Sequence, residues 1–353
     1  MGSVAPFVGR PDVHQRDAAD ADRATRPACS TRASPMGESM LPAVQSSVDL
    51  FDDEDSPLAD LEHPAYAGIR LPDGRALTWA EYGSPRGFPC ILLPDDGSSR
   101  LAPSWLLHDS ALPSAVRLLA VDRPGSGASD AVGLGGHHDP ASDLRRLIET
   151  LAVGRVALIG IGRGADEAFA VAARHPQLVA SVTGVSVRLE RPAARRGLRR
   201  RLRGGRGGQP VAGIFAQWAA AAAGADLAEE ATWQRAVERM PEAARTALGD
   251  RWREADFRAA VAADAVEGRH EWSGIDEAVQ VAPWAQDPAS INVPVHLWHG
   301  RHEWPSTLGD VQSAVGGRPG WRVSPVSGPS AALGFWPQIL QDAVTSFRPL
   351  SPA

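Results

Sequence analysis

Val156-Ala157-Leu158-Ile159-Gly160-Ile161-Gly162-Arg163-Gly164-Ala165 is the stretch on which the fold turns. Its first four residues are uninterruptedly apolar, as in a strand buried on both faces. From residue 163 to 174 the apolar residues recur at helical spacing. Three glycines at alternate positions separate the two patterns. Glycine is the residue that lets a chain turn sharply or pack backbone against backbone. A buried strand, a tight turn and a helix form half of a parallel strand-helix-strand unit.

Working outward, residues 90–93 and 117–121 are also short apolar runs and read as buried strands. Residues 105–111 read as a short helix, and 140–151 as a longer one with Asp139 as its N-cap. Residues 67–71 and 76–82 flank Pro72-Asp73-Gly74-Arg75, a turn between two strands. Downstream, 178–187 is a further strand. The rhythm then breaks. Residues 195–208 hold seven arginines and five glycines, and helical stretches follow at 210–224, 227–240 and 241–266. Strand and helix patterns return at 294–298, 321–326 and 335–347. The expected fold class is α/β: a doubly wound, mostly parallel sheet with an inserted helical cap. The expected domains are a disordered tail (1–60), a first core segment (61–190), a cap with an Arg/Gly-rich hinge (191–284) and a second core segment (285–353). Met36 and Met40 are alternative start sites within the tail.

Composition narrows the function classes. Apolar residues make up 43% and charged residues 22%, ordinary for a globular protein with a large core. The net charge of -6 argues against nucleic acid or a membrane surface as partner. All 36 basic residues are arginine, so lysine Schiff-base chemistry is excluded, including covalently held pyridoxal phosphate. Cys29 lies in the tail and Cys90 in a strand, a usage that reads as reduced and cytoplasmic. No apolar run reaches the roughly 18 residues of a membrane span.

Asp122-Arg123-Pro124-Gly125-Ser126-Gly127-Ala128-Ser129 resembles the D-R-P-G-x-G-x-S segment of α/β-hydrolases. Residues 156–176 resemble that family's nucleophile-elbow strand and helix. Trp284 followed by Val293-Pro294-Val295-His296-Leu297-Trp298-His299-Gly300 resembles its strand leading to the acid loop. The resemblance spans about residues 66 to 347. It implies a serine in G-x-S-x-G, a His-Gly after the strand ending at Leu93, an acid after the later strand and a histidine near the end.

This chain departs from that pattern at three stations. The elbow reads Gly160-Ile161-Gly162-Arg163-Gly164, so Gly162 stands at the nucleophile position without a side chain. Pro94-Asp95-Asp96-Gly97-Ser98 replaces the His-Gly, and carboxylates there oppose the anion that an oxyanion site stabilises. Pro329, or Ser330 in a shifted register, stands where the general base belongs, and neither takes a proton at neutral pH. Glu303 holds the acid position.

Gly160-x-Gly162-x-x-Ala165 also fits a dinucleotide fingerprint. That reading needs an acid about 20 residues on, and the strand there ends in Val187-Arg188-Leu189-Glu190. The helix N-terminus at Arg163 offers N–H groups to an anion. Phe215 and Trp218 share a helix face and, with Trp304, are candidate ligand contacts. His296 and His299 point to opposite faces of a strand, so no metal site is expected, nor any cofactor.

The leading expectation is a non-hydrolytic protein that binds a small apolar or amphipathic molecule under the cap. A second is an enzyme without a nucleophile, such as a cyclase, lyase or isomerase, with Asp95, Asp96, His302 or Glu303 as acid or base. A third is an esterase with a displaced nucleophile, Ser98 or Ser330.

Overall fold

The computed structural model describes residues 66–108, 110–132, 139–188, 226–240, 242–268, 290–301, 303, 306–326 and 334–345. The tail, the Arg/Gly-rich hinge and the 210–224 stretch lie outside them. Eight strands form one sheet: β1 Tyr66–Arg70, β2 Ala76–Gly83, β3 Phe88–Leu93, β4 Val116–Val121, β5 Val156–Ile161, β6 Val179–Val185, β7 Val295–Gly300 and β8 Trp321–Val326, in the order β1-β2-β4-β3-β5-β6-β7-β8. β2 pairs antiparallel with both its neighbours, and all other pairs are parallel. The fold is therefore α/β with a mostly parallel sheet.

Helices cover both faces. α1 Ala102–Leu106 follows β3, α2 Pro140–Leu151 follows β4, and α3 Arg163–Arg174 follows β5. α4 Glu230–Glu238, α5 Glu242–Leu248 and α6 Ala255–Glu267 lie between β6 and β7 in the chain, the place expected of an inserted helical block. α7 Leu308–Val315 and α8 Trp336–Thr345 complete the set. The first helix is displaced from the expected 105–111, and 241–266 splits into two helices around a short 3-10 turn at Arg251–Arg253. Asp139 does occupy the N-cap position of α2, but its carboxylate accepts from the Ser142 hydroxyl and pairs with Arg174 instead of capping a backbone N–H.

Strand alternation splits the core in two. Leu92, Leu118, Ala157, Ile159, Ile161 and Trp298 face α1 and α8, and the same cluster continues into Trp233, Phe257 and Val261 of the inserted helices. Ile91, Leu93, Leu119, Leu158 and Leu297 face α2 and α3. Each fully buried Leu or Ile contributes about 1.5–3 kcal/mol. Trp233 is a packing residue: it is fully buried, lies edge-on to Phe257 and donates its indole N–H to Trp252 O at 2.6 Å. Among the described residues no helix is long and apolar enough to cross a membrane.

Two glycines bring β5, α3 and β3 together. A Cβ on Gly160 would lie 2.4 Å from Ala165 Cα, and one on Gly164 would lie 2.0 Å from Leu93 O. Both contacts are with backbone, which cannot swing aside. Gly164→Ala is expected to destabilise the protein by about 1–3 kcal/mol through overpacking. A Cβ on Gly309, near the start of α7, would meet among the described residues only Thr307 Oγ1, at 3.8 Å. There Gly→Ala is expected to stabilise by up to about 1 kcal/mol. Urea denaturation of both variants checks the contrast; equal effects would contradict the packing account.

Candidate functional site at the head of α3

β5 ends at Ile161 and α3 begins at Arg163, so a single residue makes the turn. That residue, Gly162, has φ +52° and ψ -111°, a region that side chains rarely enter. Its N–H donates to Val185 O at 2.9 Å, which locks the turn onto β6. The turn thus has the abrupt geometry that places a reactive side chain in a strand-to-helix elbow.

The space such a side chain needs is filled. A Cβ on Gly162 would lie 2.3 Å from both Cγ and Oδ1 of Asp95. Asp95 comes from the loop after β3. Its Oδ1 accepts the Arg163 N–H at 3.0 Å, and its Oδ2 lies 3.2 Å from Arg188 Nη2. The Arg163 N–H, expected to be free for an anion, therefore already holds one from the chain itself.

Asp96, the next residue, contacts Arg123 at 2.5 Å, Arg163 Nε at 2.6 Å and Arg188 at 3.5 Å. Burial pushes its pKa up, but the three guanidiniums outweigh burial and hold it at about 2. Arg123 also donates to Glu167 Oε1 at 2.8 Å. An ionised Asp96 donates no proton at neutral pH, which leaves only the base half of the acid or base role expected of it. Asp166, half-buried one turn into α3, is different: burial raises its pKa to about 7, against the pull of Arg163, Arg188 and Arg123.

The loop carrying these acids is pinned from two sides. Asp122, fully buried, accepts from Arg100 N at 2.7 Å, Arg100 Nη1 at 2.8 Å and Thr78 Oγ1 at 2.8 Å. A Cβ on Gly127 would lie 2.2 Å from that carboxylate, which explains a glycine in the Asp122–Ser129 motif. From the other side, Asp264 of α6 accepts from Ser98 Oγ at 2.7 Å, Ser99 N and Oγ at 2.8 Å, and Trp105 Nε1 at 2.9 Å. Ser98 is thus buried, with its hydroxyl donating to a carboxylate. Nothing in the local sequence around Asp264 signals this partnership.

Glu303 is also engaged. Its Oε1 accepts from Ser186 Oγ at 2.6 Å and its Oε2 from Gly300 N at 2.9 Å. His299 Nδ1 faces the same Oε2 at 3.1 Å, and His299 Nε2 lies 3.0 Å from Ser306 O. A carbonyl oxygen only accepts, so Nε2 is the protonated nitrogen that donates to Ser306 O. Ser186 has φ +54°, unusual for a residue other than glycine. Sequence reasoning missed both Ser186 and the pairing of His299 with Glu303. His296, on the other face of β7, points to Asp342 of α8 and to Ser324. His302, Trp304, Phe215, Trp218, Pro329 and Ser330 lie outside the described residues. For metals, His108, Glu254 and Asp256 bring potential ligand atoms within 4.8 Å of one another, with Glu254 Oε2 3.6 Å from His108 Nδ1 and Asp256 Oδ2 3.3 Å from its Nε2.

Comparison with known proteins bears on this site through the fold. A family model for the α/β hydrolase fold matches residues 102–315. An esterase from Rhodococcus sp. ECU1013 superposes with a TM-score of 0.54 at 19% identity, covering 80% of this chain and 98% of that one. An enol-lactonase from Burkholderia xenovorans LB400 gives 0.52 at 17% identity, covering 78% and 97%. Among curated proteins, the dihydrolipoyllysine-residue acetyltransferase component of an acetoin cleaving system from Pseudomonas putida is 32% identical over 111 residues. That match spans 31% of this chain and only 30% of the length of the relative.

Asp264 gives the site a pH signature. Burial raises its pKa from 3.8 to about 6, although four donors oppose the shift. A folded-state pKa above the unfolded one means stability fully present below 3.8 and lost as pH rises through about 6. The difference in unfolding free energy between wild type and Asp264→Asn is expected to shrink across that window, by on the order of 2–3 kcal/mol. Denaturant unfolding at a series of pH values measures it; a flat difference would mean that Asp264 titrates normally.

Proposed function

The chain belongs to the α/β-hydrolase fold family, and from that premise we propose that it is a non-hydrolytic member that binds a small apolar or amphipathic molecule. One observation carries the reading. Position 162 has no side chain, and the Asp95 carboxylate stands where a nucleophile's Cβ would be. An acyl substrate needs an attacking group and a donor for the developing oxyanion. Here the first is absent and the Arg163 N–H is held by an anion. The engagement of Glu303 with Ser186, Gly300 and His299 supports the same reading.

The ligand's character is inferred from the carboxyl ends of the central strands, where α/β sheets take their ligands. Ile161, Val185 and Trp298, at or near those ends, belong with Val326 of the edge strand β8 to one buried apolar cluster. The buried indole N–H of Trp298 has no hydrogen-bond acceptor among the described residues, a cost that a ligand carbonyl would relieve.

A second reading, an acid–base enzyme without a nucleophile, is favoured by one observation. Asp166 lies near the same arginines that hold Asp96 ionised, yet its pKa is raised to about 7, the range in which a general base works. Deuterium exchange into a panel of enolisable ketones, followed by NMR, tests it. Exchange that rises through pH about 7 and vanishes in Asp166→Asn is its signature; no exchange in either protein removes it.

For the leading reading, wild type is expected to show neither fluorophosphonate labelling nor turnover of short-chain esters. Gly162→Ser is expected to remain inactive, because its side chain meets Asp95. Labelling of the wild type at any serine would overturn the proposal.

A further inference from the structure

The carboxylate of Asp95 is held as a ligand is held. One oxygen takes the first N–H of a twelve-residue helix at 3.0 Å, where unpaired N–H groups and the helix dipole favour an anion. The other faces the Arg188 guanidinium at 3.2 Å. The group is almost wholly buried and sits in volume that exists only because Gly162 lacks a Cβ. The loop that delivers it crosses α3 so closely that a Cβ on Gly164 would lie only 2.8 Å from Pro94 O. Three separate parts of the chain, the loop after β3, the elbow and the segment after β6, thus meet around one carboxylate.

We propose that the head of α3 is a carboxylate-binding site which the chain fills with its own Asp95, closing the elbow to external anions. The site takes a small monocarboxylate: one oxygen on the Arg163 N–H, the other on Arg188, and a short stem in the space above Gly162. Asp95 is the tethered occupant. Its attachment through the loop pinned by Asp122 and Asp264 gives it an effective concentration that free carboxylates do not match. The inference rests on the preceding reading only in taking Gly162 to leave the elbow without a nucleophile.

Chemical rescue tests it. Asp95→Ala vacates the site while leaving Arg163 and Arg188 in place. Formate and acetate, titrated against chloride at constant ionic strength, are expected to raise the melting temperature of Asp95→Ala and leave wild type unchanged, as mass action requires of ligands that bind only the vacated site. Benzoate, too large for the space, is expected to do neither. An equal response of variant and wild type, or the same response to chloride as to acetate, overturns the proposal.

A double-mutant cycle guards against a variant too unstable to titrate. Gly162→Ala is expected to lower the melting temperature in wild type and to cost clearly less in an Asp95→Ala background, where the space is empty, while an isosteric Asp95→Asn background keeps the steric cost. Equal cost in wild type and Asp95→Ala would mean that Asp95 does not hold that space. Neither readout involves ester turnover, so serine labelling of the wild type would sink the non-hydrolytic reading while leaving the carboxylate test to stand or fall by itself.

Discussion

A carboxylate bound to the first N–H of α3 is the contact around which the rest of the site is arranged. Asp95 gives up most of its hydration there, and such a burial is stable only when the charge is paired and hydrogen-bonded. Arg163 N–H and Arg188 supply the partners for Asp95. Asp96 and Glu167 then balance Arg123, Arg163 and Arg188. Removing one member of such a group costs more than the group contributes as a whole, because it leaves its partner buried and uncompensated. The constraint reaches the backbone: with Asp95 in place, position 162 tolerates no side chain.

Two more buried acids hold the surrounding loops. Asp122 ties the loop after β4 to Arg100 and to Thr78 of β2. Asp264 ties α6 to Ser98, Ser99 and Trp105. Both sit among saturated hydrogen bonds, and satisfied networks in a low-dielectric interior rigidify what they join. The loop after β3 is therefore clamped by an acid from the core on one side and an acid from the inserted helices on the other. In an α/β hydrolase fold this loop and the elbow are the places where donors gather around a substrate oxygen. In this chain the same scaffold gathers donors around internal carboxylates.

The sheet was largely legible from local pattern. Uninterrupted apolar runs, helical spacing after Gly162 and the Asp122–Ser129 motif sufficed to place the elements along the chain, because each depends on residues close together in it. Boundaries moved where caps and packing decide them. The first helix starts at Ala102, with the Pro at its second position, ahead of the apolar signal. Residues 241–266 split at Asp250–Arg253, where helical residues continue by composition but the chain turns. Asp95 and Asp96 were recognisable as misplaced acids near an oxyanion site; their partners were not. Asp264 reads simply as an acid inside an alanine-rich helix, and Ser186 as the end of a strand.

What the sequence determined by itself is therefore the fold, the turn at Gly162 and the absence there of any side chain, since each follows from residue type and short-range spacing. Tertiary structure alone decided where the acids point. Asp95 and Arg163 are 68 residues apart, Ser98 and Asp264 are 166 apart, and Ser186 and Glu303 are 117 apart. No periodicity links such pairs; the sheet order and the insertion between β6 and β7 bring them together. Whether a buried carboxylate is a reagent, a clamp or an occupant depends on which donors surround it, and those donors arrive only when the chain has closed.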